Sequence, residues 1–334
     1  MALRPFRWPT DLSLMAQLLP MAFQYPENPD WSLQTDELES MLQMVNSARR
    51  LWPLFSLMMK VSPAARDILH GYVWEEDGQP VGLVNISRDG ATDDWLITNV
   101  AVLTTYRRRG IARTLVEAAI SLARKRHAKG VLLDVIAGNT PAYDLYTNLG
   151  FAHFTSSVQL RHAVPIPATL ALTAEVRLPP GYTTTALSSQ AWRPYFELAH
   201  RITPPEVQRF RPVTEQQFHM AASIRFLLLL VNTFAGIRER GLLVRSADQQ
   251  IVAALRLSVH TRGAEMNTCT MWLDQAHGEL GSYLVRSALR MAQRWSPNSR
   301  IELTVPTWEP ALVEAATAND FALAVEAHSM GMKL

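Results

Sequence analysis

Cysteine is almost missing: Cys269 stands alone among 334 residues. One thiol cannot build an internal disulfide framework, and such sparse usage fits a reducing compartment. With no activating motif beside it, Cys269 reads as a buried structural thiol rather than a nucleophile. Long apolar runs are missing too. The most hydrophobic stretch, Phe226 to Val231, is bounded by Arg225 and Asn232 and falls far short of the roughly 20 residues that cross a bilayer. Arg4 and Arg7 precede an apolar stretch, but Pro9, Asp11, Gln17 and Pro20 interrupt it and no small-residue cleavage site follows, unlike a secretory signal. The expectation is a cytoplasmic protein. Nor is there an excess of one charge: the formal net charge is +2, which gives no whole-molecule field for nucleic acid or an anionic membrane. None of the nine histidines has a second histidine or a cysteine at metal-ligand spacing, so no metal is expected.

What is present is a globular composition, 48% apolar and 19% charged, in a chain long enough for two domains. The chain is also written twice. Gly71-Tyr72-Val73-Trp74, a turn at Asp77-Gly78, and Val81-Gly82-Leu83-Val84 read as a hairpin. Gly241-Leu242-Leu243-Val244, Ala247-Asp248 and Ile251-Val252-Ala253-Ala254 read the same way, 170 residues later. The spacing persists at Leu103 and Leu273 and at Phe151 and Phe321, with a one-residue slip needed to align Leu115-Val116 with Leu284-Val285. Prolines in Val164-Pro165-Ile166-Pro167 and Pro179-Pro180-Gly181 mark the join. Each half runs helices, antiparallel meander, then strand-helix-strand-helix-strand, which predicts a mixed α/β sheet covered by helices. In the first half, strands are predicted near 71–76, 81–87, 95–102, 131–136 and 152–160, and helices near 10–23, 35–60, 110–128 and 140–149.

The strand ending at Val102 runs through Leu103-Thr104-Thr105-Tyr106 into Arg107-Arg108-Arg109-Gly110-Ile111-Ala112-Arg113. A helix follows, with Ile111, Leu115, Ala118 and Leu122 as its apolar stripe and Arg113, Glu117 and Arg124 elsewhere. A strand-to-helix junction offers unpaired N–H groups and the positive end of a helix dipole, hence an anion site. Gly110 and Ala112 leave the backbone bare for close approach. Spacing does not say which of the three arginine side chains faces a ligand, and a solvated basic turn is the plainer alternative. A phosphate loop of nucleotide triphosphatases is set aside, because its Gly-Lys-Ser/Thr end is lacking.

Arg107-x-x-Gly110-x-Ala112 resembles the acyl-CoA signature of the GNAT superfamily of N-acetyltransferases, usually written Gln/Arg-x-x-Gly-x-Gly/Ala. Asn139-Thr140-Pro141-Ala142-Tyr143-Asp144-Leu145-Tyr146-Thr147-Asn148-Leu149-Gly150-Phe151 resembles the second signature, Asn-x-x-Ala-x-x-Leu-Tyr-x-x-x-Gly-Phe, in the family's order. Independently of the family, Pro141 suits a first helical turn, Gly150 a position just past a helix end and Phe151 a restarting strand. The resemblance implies an α/β (α+β) fold of two tandem GNAT-like domains, each a mixed, mostly antiparallel twisted sheet flanked by helices, as in proteins similar to mycothiol synthase. The expected division is 1–163 catalytic, 164–175 linker and 176–334 a degenerate copy.

The resemblance further implies acetyl-CoA as co-substrate, held by Val100, Ala101, Val102, Arg107, Arg108, Arg109, Gly110, Ile111, Ala112, Arg113, Asn139 and Tyr146. Backbone N–H groups of Val100 to Val102 would hold the oxyanion. Tyr146 would protonate the departing thiol, whose free pKa is about 8.5 against about 10 for tyrosine. Asp134 stands where some relatives carry a catalytic glutamate, with a hydrogen-bonded strand residue as the equal alternative; Asn99 is nearby but cannot be a base. A core tyrosine and a capping asparagine remain the plain readings of Tyr146 and Asn139. His153 is a candidate for the acceptor site.

In the second half Asp274-Gln275-Ala276-His277-Gly278-Glu279-Leu280-Gly281 replaces the arginine turn, and Glu309 and Ala316 fall at the positions of Asn139 and Tyr146. That copy is expected to bind no acyl-CoA and to pack, shape the cleft or mediate a homodimer. The activity expected is transfer of an acetyl group to a primary amine on a small molecule or peptide, the alternative being a non-catalytic acyl-CoA sensor. Trp31, Met41, Met44, Trp52, Phe55, Met58 and Met59 read as core or as an apolar acceptor wall.

Overall fold

A computed structural model describes residues 2–32, 45, 52, 56, 70–89, 92–162, 176–187, 192–219, 236–261, 266–296 and 300–334. The predicted helix at 35–60, the apolar run at 226–231 and the linker at 164–175 lie outside these, apart from single positions within the first. The chain forms two compact units, Met1–Phe154 with His328–Leu334, and Thr155–Ala327.

The first unit holds strands β1 (Ala2–Pro5), β2 (His70–Glu76), β3 (Gln79–Arg88), β4 (Asp94–Val102) and β5 (Gly130–Ile136), in that order across the sheet. Pairing is antiparallel from β1 to β4 and parallel between β4 and β5. Next to β5 lies the end of β12 (Phe321–Lys333), the last strand of the chain. Alternation along the strands sorts the side chains between two helices. Val73, Leu83 and Ala101 meet α1 (Thr10–Ala22) through Leu12, Met15, Leu18 and Leu19. Val84, Ile86, Trp95, Ile97 and Leu133 pack with α2 (Ile111–Lys125). Gly82 permits that approach, since a Cβ there would stand 3.3 Å from side-chain atoms of both Ile111 and Leu115. Each fully buried aliphatic chain contributes roughly 1.5–3 kcal/mol. The buried stripe of α2 is wider than predicted: Val116, Ala119, Ile120 and Ala123 join Ile111 and Leu115, while Ala118 and Leu122 sit at its margin. The helix is covered over more than one row because sheet residues meet it on both sides of its axis.

In the second unit the order is β6 (Ala152–His162), β11 (Ile301–Pro306), β10 (Asn267–Leu273), β9 (Ile251–His260), β8 (Ile237–Arg245) and β7 (Thr183–Ala186). Again one pair, β10 with β11, is parallel. Helix α4 (Trp192–Ile202) packs Tyr195 and Leu198 against Leu243, Ile251 and Ala254. Helices α5 (Gly281–Trp295) and α6 (Pro310–Thr317) share the other core with Leu255, Leu257 and Leu303. Cys269 is buried there, and burial pushes its thiol far above the ordinary range.

The mixed sheets match the predicted class, and the five predicted strands of the first half are all present. The compact units do not coincide with the sequence halves 1–163 and 176–334. The chain passes between units inside β6, at Phe154/Thr155, and again inside β12, at Ala327/His328. From Ser157 to His162, β6 pairs antiparallel with Pro306 to Ile301 of β11. The repeat is real, but besides the one-residue slip at Leu115/Leu284 a second shift, of opposite sign, lies in the hairpin turn. Leu103 N–H bonds Val81 C=O at 2.9 Å and Asp274 N–H bonds Val252 C=O at 2.8 Å, so Leu103 matches Asp274 and Val102 matches Leu273. The second turn is one residue longer, so the offset is 171 from there to Leu103/Asp274, and it returns to 170 at Asn139/Glu309 and Phe151/Phe321.

Candidate functional site

The site begins where two parallel strands part. Strands β4 and β5 pair only from Asp94/Gly130 to Ile97/Leu133. At the same point the register of β4 on β3 jumps, Asn85 facing Asn99 and Ile86 facing Ile97, so Thr98 is an extra residue. Such a bulge bends its strand and ends pairing. Val100, Ala101 and Val102 keep their partners Val84, Leu83 and Gly82 on β3, while their other edge faces no strand among the described residues.

Beyond Val102 a single 3-10 turn, Thr104–Tyr106, leads to Arg107. Arg108 has φ +62° and Gly110 has φ +80°. Gly110 is the residue before α2, no side chain caps the helix there, and its first turn holds no acid. A Cβ on Gly110 would meet nothing within 4 Å, so the start of the helix opens outward. The amides of Ile111, Ala112 and Arg113 are therefore the orphan donors at the positive end of a 15-residue helix.

The three arginines divide. Arg107 turns inward: Nη2 donates to the Ala22 carbonyl at 2.6 Å, Nε donates to the Val102 carbonyl at 3.2 Å, and the guanidinium lies 4.2 Å from the Tyr25 ring centroid. Arg109 donates to Glu76 Oε1 and to the Thr105 carbonyl, both at 3.2 Å, and covers Tyr106. Arg108 is exposed, with no ion-pair partner among the described residues. Arg113 lies 3.8 Å from Glu117 one turn on.

Helix α3 (Thr140–Thr147) starts at Asn139, whose Oδ1 accepts from the Ala142 N–H at 3.3 Å. Its end is closed by Gly150 at φ +95° and by a bond from Phe151 N–H to the Tyr146 carbonyl at 3.1 Å, which is why the chain can turn at once into β6. Asn139 thus has the capping role, with its amide nitrogen left to donate. Tyr146 is buried at 7% exposure in the α2-side core, 6.0 Å from Phe151 edge-on. Burial, with a smaller effect from nearby Tyr25, pushes its hydroxyl far above the ordinary phenol range. The hydroxyl has no hydrogen-bond partner among the described residues.

Asp134 follows the last residue of β5 that pairs with β4. Its side chain is exposed, and Ser329 Oγ donates to its Oδ1 at 2.5 Å. Asn99 instead donates to Asn85 Oδ1 at 3.4 Å. His153 stacks edge-on with His328 at 5.0 Å, with Tyr143 5.8 Å from His328. Trp31 stands near the end of β5, its Nε1 3.6 Å from where a Cβ on Gly138 would lie. Trp52 stacks on Trp8 at 5.2 Å; Met41, Met44, Phe55, Met58 and Met59 lie outside the described residues. Sequence reasoning passed over Ser329 and Tyr25. No local signal marks Ser329, which arrives from the far end of the chain.

Residues 36–151 match the profile described as Acetyltransferase (GNAT) family. Over those residues the chain is similar to that family. Over 81 residues it is 35% identical to a Bacillus subtilis protein assigned as a ribosomal protein bS18-alanine N-acetyltransferase, and over 56 residues 43% identical to an N-alpha-acetyltransferase of Saccharolobus solfataricus. These stretches are 24% and 16% of this chain, and they span 52% and 34% of those relatives. Two solved structures share the fold over nearly the whole chain. A tandem GNAT protein from the clavulanic acid biosynthesis pathway has a TM-score of 0.62 at 16% identity, covering 99% of this chain and 98% of that one. A GCN5-related N-acetyltransferase from Sphaerobacter thermophilus has a TM-score of 0.65 at 14% identity, covering 99% and 95%.

The second GNAT fold repeats the parting of strands: β10 pairs with β11 only from Asn267/Ile301 to Cys269/Leu303. There the space is filled from within. Glu309, in the cap position of α6 that Asn139 holds on α3, is buried at 3% exposure and accepts a hydrogen bond from the Leu273 backbone. Leu273 matches Val102, so a carboxyl occupies the amide that the GNAT domain leaves open. Burial pushes Glu309 up to about 8, and its Oε2 has no partner. Gly281 at the head of α5 packs on α6, where a Cβ would stand 2.9 Å from the Ala311 carbonyl and 3.2 Å from Ala315. Asp274 Oδ1 caps Ala276 N–H at 3.1 Å, and Tyr182 donates to Glu279 at 2.5 Å over the former turn.

Proposed function

We propose that the GNAT domain transfers an acetyl group from acetyl-CoA to a primary amine by direct attack in a ternary complex, and that the second copy takes no cofactor. The observation that carries this reading is the joining, within one unit, of an open strand edge at Val100–Val102, an uncapped helix start at Gly110 and a buried phenol at Tyr146. The turn fits a diphosphate: its amides from Arg108 to Arg113 are unclaimed among the described residues, its first helical turn has no acid, and Arg108 adds an unpaired charge. Ile111, Ala112 and Arg113 contribute through their backbone. Arg109 contributes its backbone too, since its guanidinium is engaged elsewhere, whereas the Arg107 N–H already donates to the Thr104 carbonyl at 3.2 Å.

In the reaction the amine nitrogen attacks the acyl carbon, the outward-facing N–H donors of Val100 and Val102 stabilise the oxyanion, and the C–S bond breaks as the sulfur takes a proton from Tyr146. Its raised pKa keeps the phenol protonated throughout the neutral range, which suits a donor. The amine's proton leaves to Asp134, directly or through water, with Ser329 orienting the carboxylate. Asn139 donates its free amide hydrogens to the pantetheine arm. The names of the curated relatives make an α-amine at a peptide N-terminus the first acceptor to try. Thiol release from acetyl-CoA across a panel of peptide and small-molecule amines, with Tyr146→Phe as control, tests the proposal. Turnover with at least one amine supports it; tight binding of acetyl-CoA without turnover across the panel points to the sensor.

A further inference from the structure

Arg107 opens the turn signature, yet its side chain joins three other segments. It donates to the carbonyl of Val102, the last residue of β4, and to the carbonyl of Ala22, the last residue of α1, with Gln24 O a further 3.5 Å contact. Its flat face covers Tyr25. A helix C-terminus carries orphan carbonyls and partial negative charge, so a guanidinium there is doubly satisfied. Only a planar fork of donors can hold two carbonyls and an aromatic face together; an ammonium cannot.

The segment it holds is short and already shaped. Tyr25 N–H donates to Ser32 Oγ at 2.8 Å, Asn28 N–H to the Tyr25 carbonyl at 2.9 Å and Trp31 N–H to the Asn28 carbonyl at 3.0 Å. The Tyr25 and Trp31 rings meet edge-on at 5.7 Å. Trp31 reaches Gly138 at the end of β5, beside Asn139 at the head of the helix that carries Tyr146. The loop thus walls the space beside the proton donor.

We infer that the Arg107 side chain positions the Tyr25–Trp31 loop as the acceptor-side wall and does not bind the cofactor diphosphate. This rests on the acetyl-CoA reading above.

The test is hydrogen–deuterium exchange of peptides covering residues 22–32 in the full chain, alongside CoA titration, for wild type, Arg107→Ala and Arg107→Lys. Expected is faster exchange of that loop in both variants, by about tenfold or more, which corresponds to about 1.4 kcal/mol of lost protection. Exchange in Ile111–Lys125 should stay as in wild type. The lysine keeps the charge that a diphosphate would feel. Loop exchange unchanged in Arg107→Lys, with CoA affinity lost in Arg107→Ala and kept in Arg107→Lys, would overturn the inference. A wild-type chain that binds no CoA would sink the functional reading, while loop exchange would still decide the role of Arg107.

Discussion

Tyr146 is a core residue for which a chemical role is proposed. Its ring is packed like any buried aromatic, and the same burial that stabilises the ring raises the cost of ionising the hydroxyl. Tyr146→Phe should lower kcat by about 100-fold or more, as measured with whichever amine turns over, and wild-type activity should show no alkaline loss from this group below pH of about 10. Glu309 tests the filled second cleft. Its folded pKa, about 8, lies above its ordinary value of 4.5, so the native state holds a proton that the unfolded chain releases. Stability from this group is therefore fully present below pH of about 4.5 and declines as pH rises toward about 8. Glu309→Gln should flatten that decline, visible as a melting-temperature gain over wild type that grows from pH 5 to pH 8; a gain that is constant with pH contradicts the assignment. Asn139 and Tyr146 were legible in the sequence because a short bounded helix places both. The inward turn of Arg107 was not, because its partners lie at 22–25, some 80 residues earlier in the chain.

At the scale of elements, the strand and helix periods were plain, but the parting of β4 from β5 was not. Thr98 sits in a run that alternates like any strand, and the bulge exists only through its register on β3. The uncapped start of α2 was foreseen from Gly110 and Ala112, and its backbone conformation supports a specific expectation. Gly110→Ala forces a Cβ into the left-handed region at φ +80°, costing about 1–2 kcal/mol. Open space around the new methyl means that strain alone acts. Calorimetric titration should show CoA affinity lower by about fivefold or more, whereas affinity equal to wild type would show that the turn is not held in this conformation when CoA binds.

For the whole molecule, the repeat announced two copies of one fold, but strand partners were set by pairing that no local pattern encodes. The end of β12 completes the first unit: Met330 is fully buried in its core and Ser329 meets Asp134. Met330→Ala, four residues from the end of the chain at Leu334, should cost about 2–5 kcal/mol and lower the melting temperature of the CoA-protected transition. An effect confined to a transition that CoA does not protect would place β12 wrongly. The account as a whole is tested most directly by calorimetric titration of the intact chain with coenzyme A. It predicts one bound CoA per chain, with binding abolished when Ala112→Asp puts a carboxylate at the helix start. No binding, two equivalent sites, or full affinity in Ala112→Asp would contradict it.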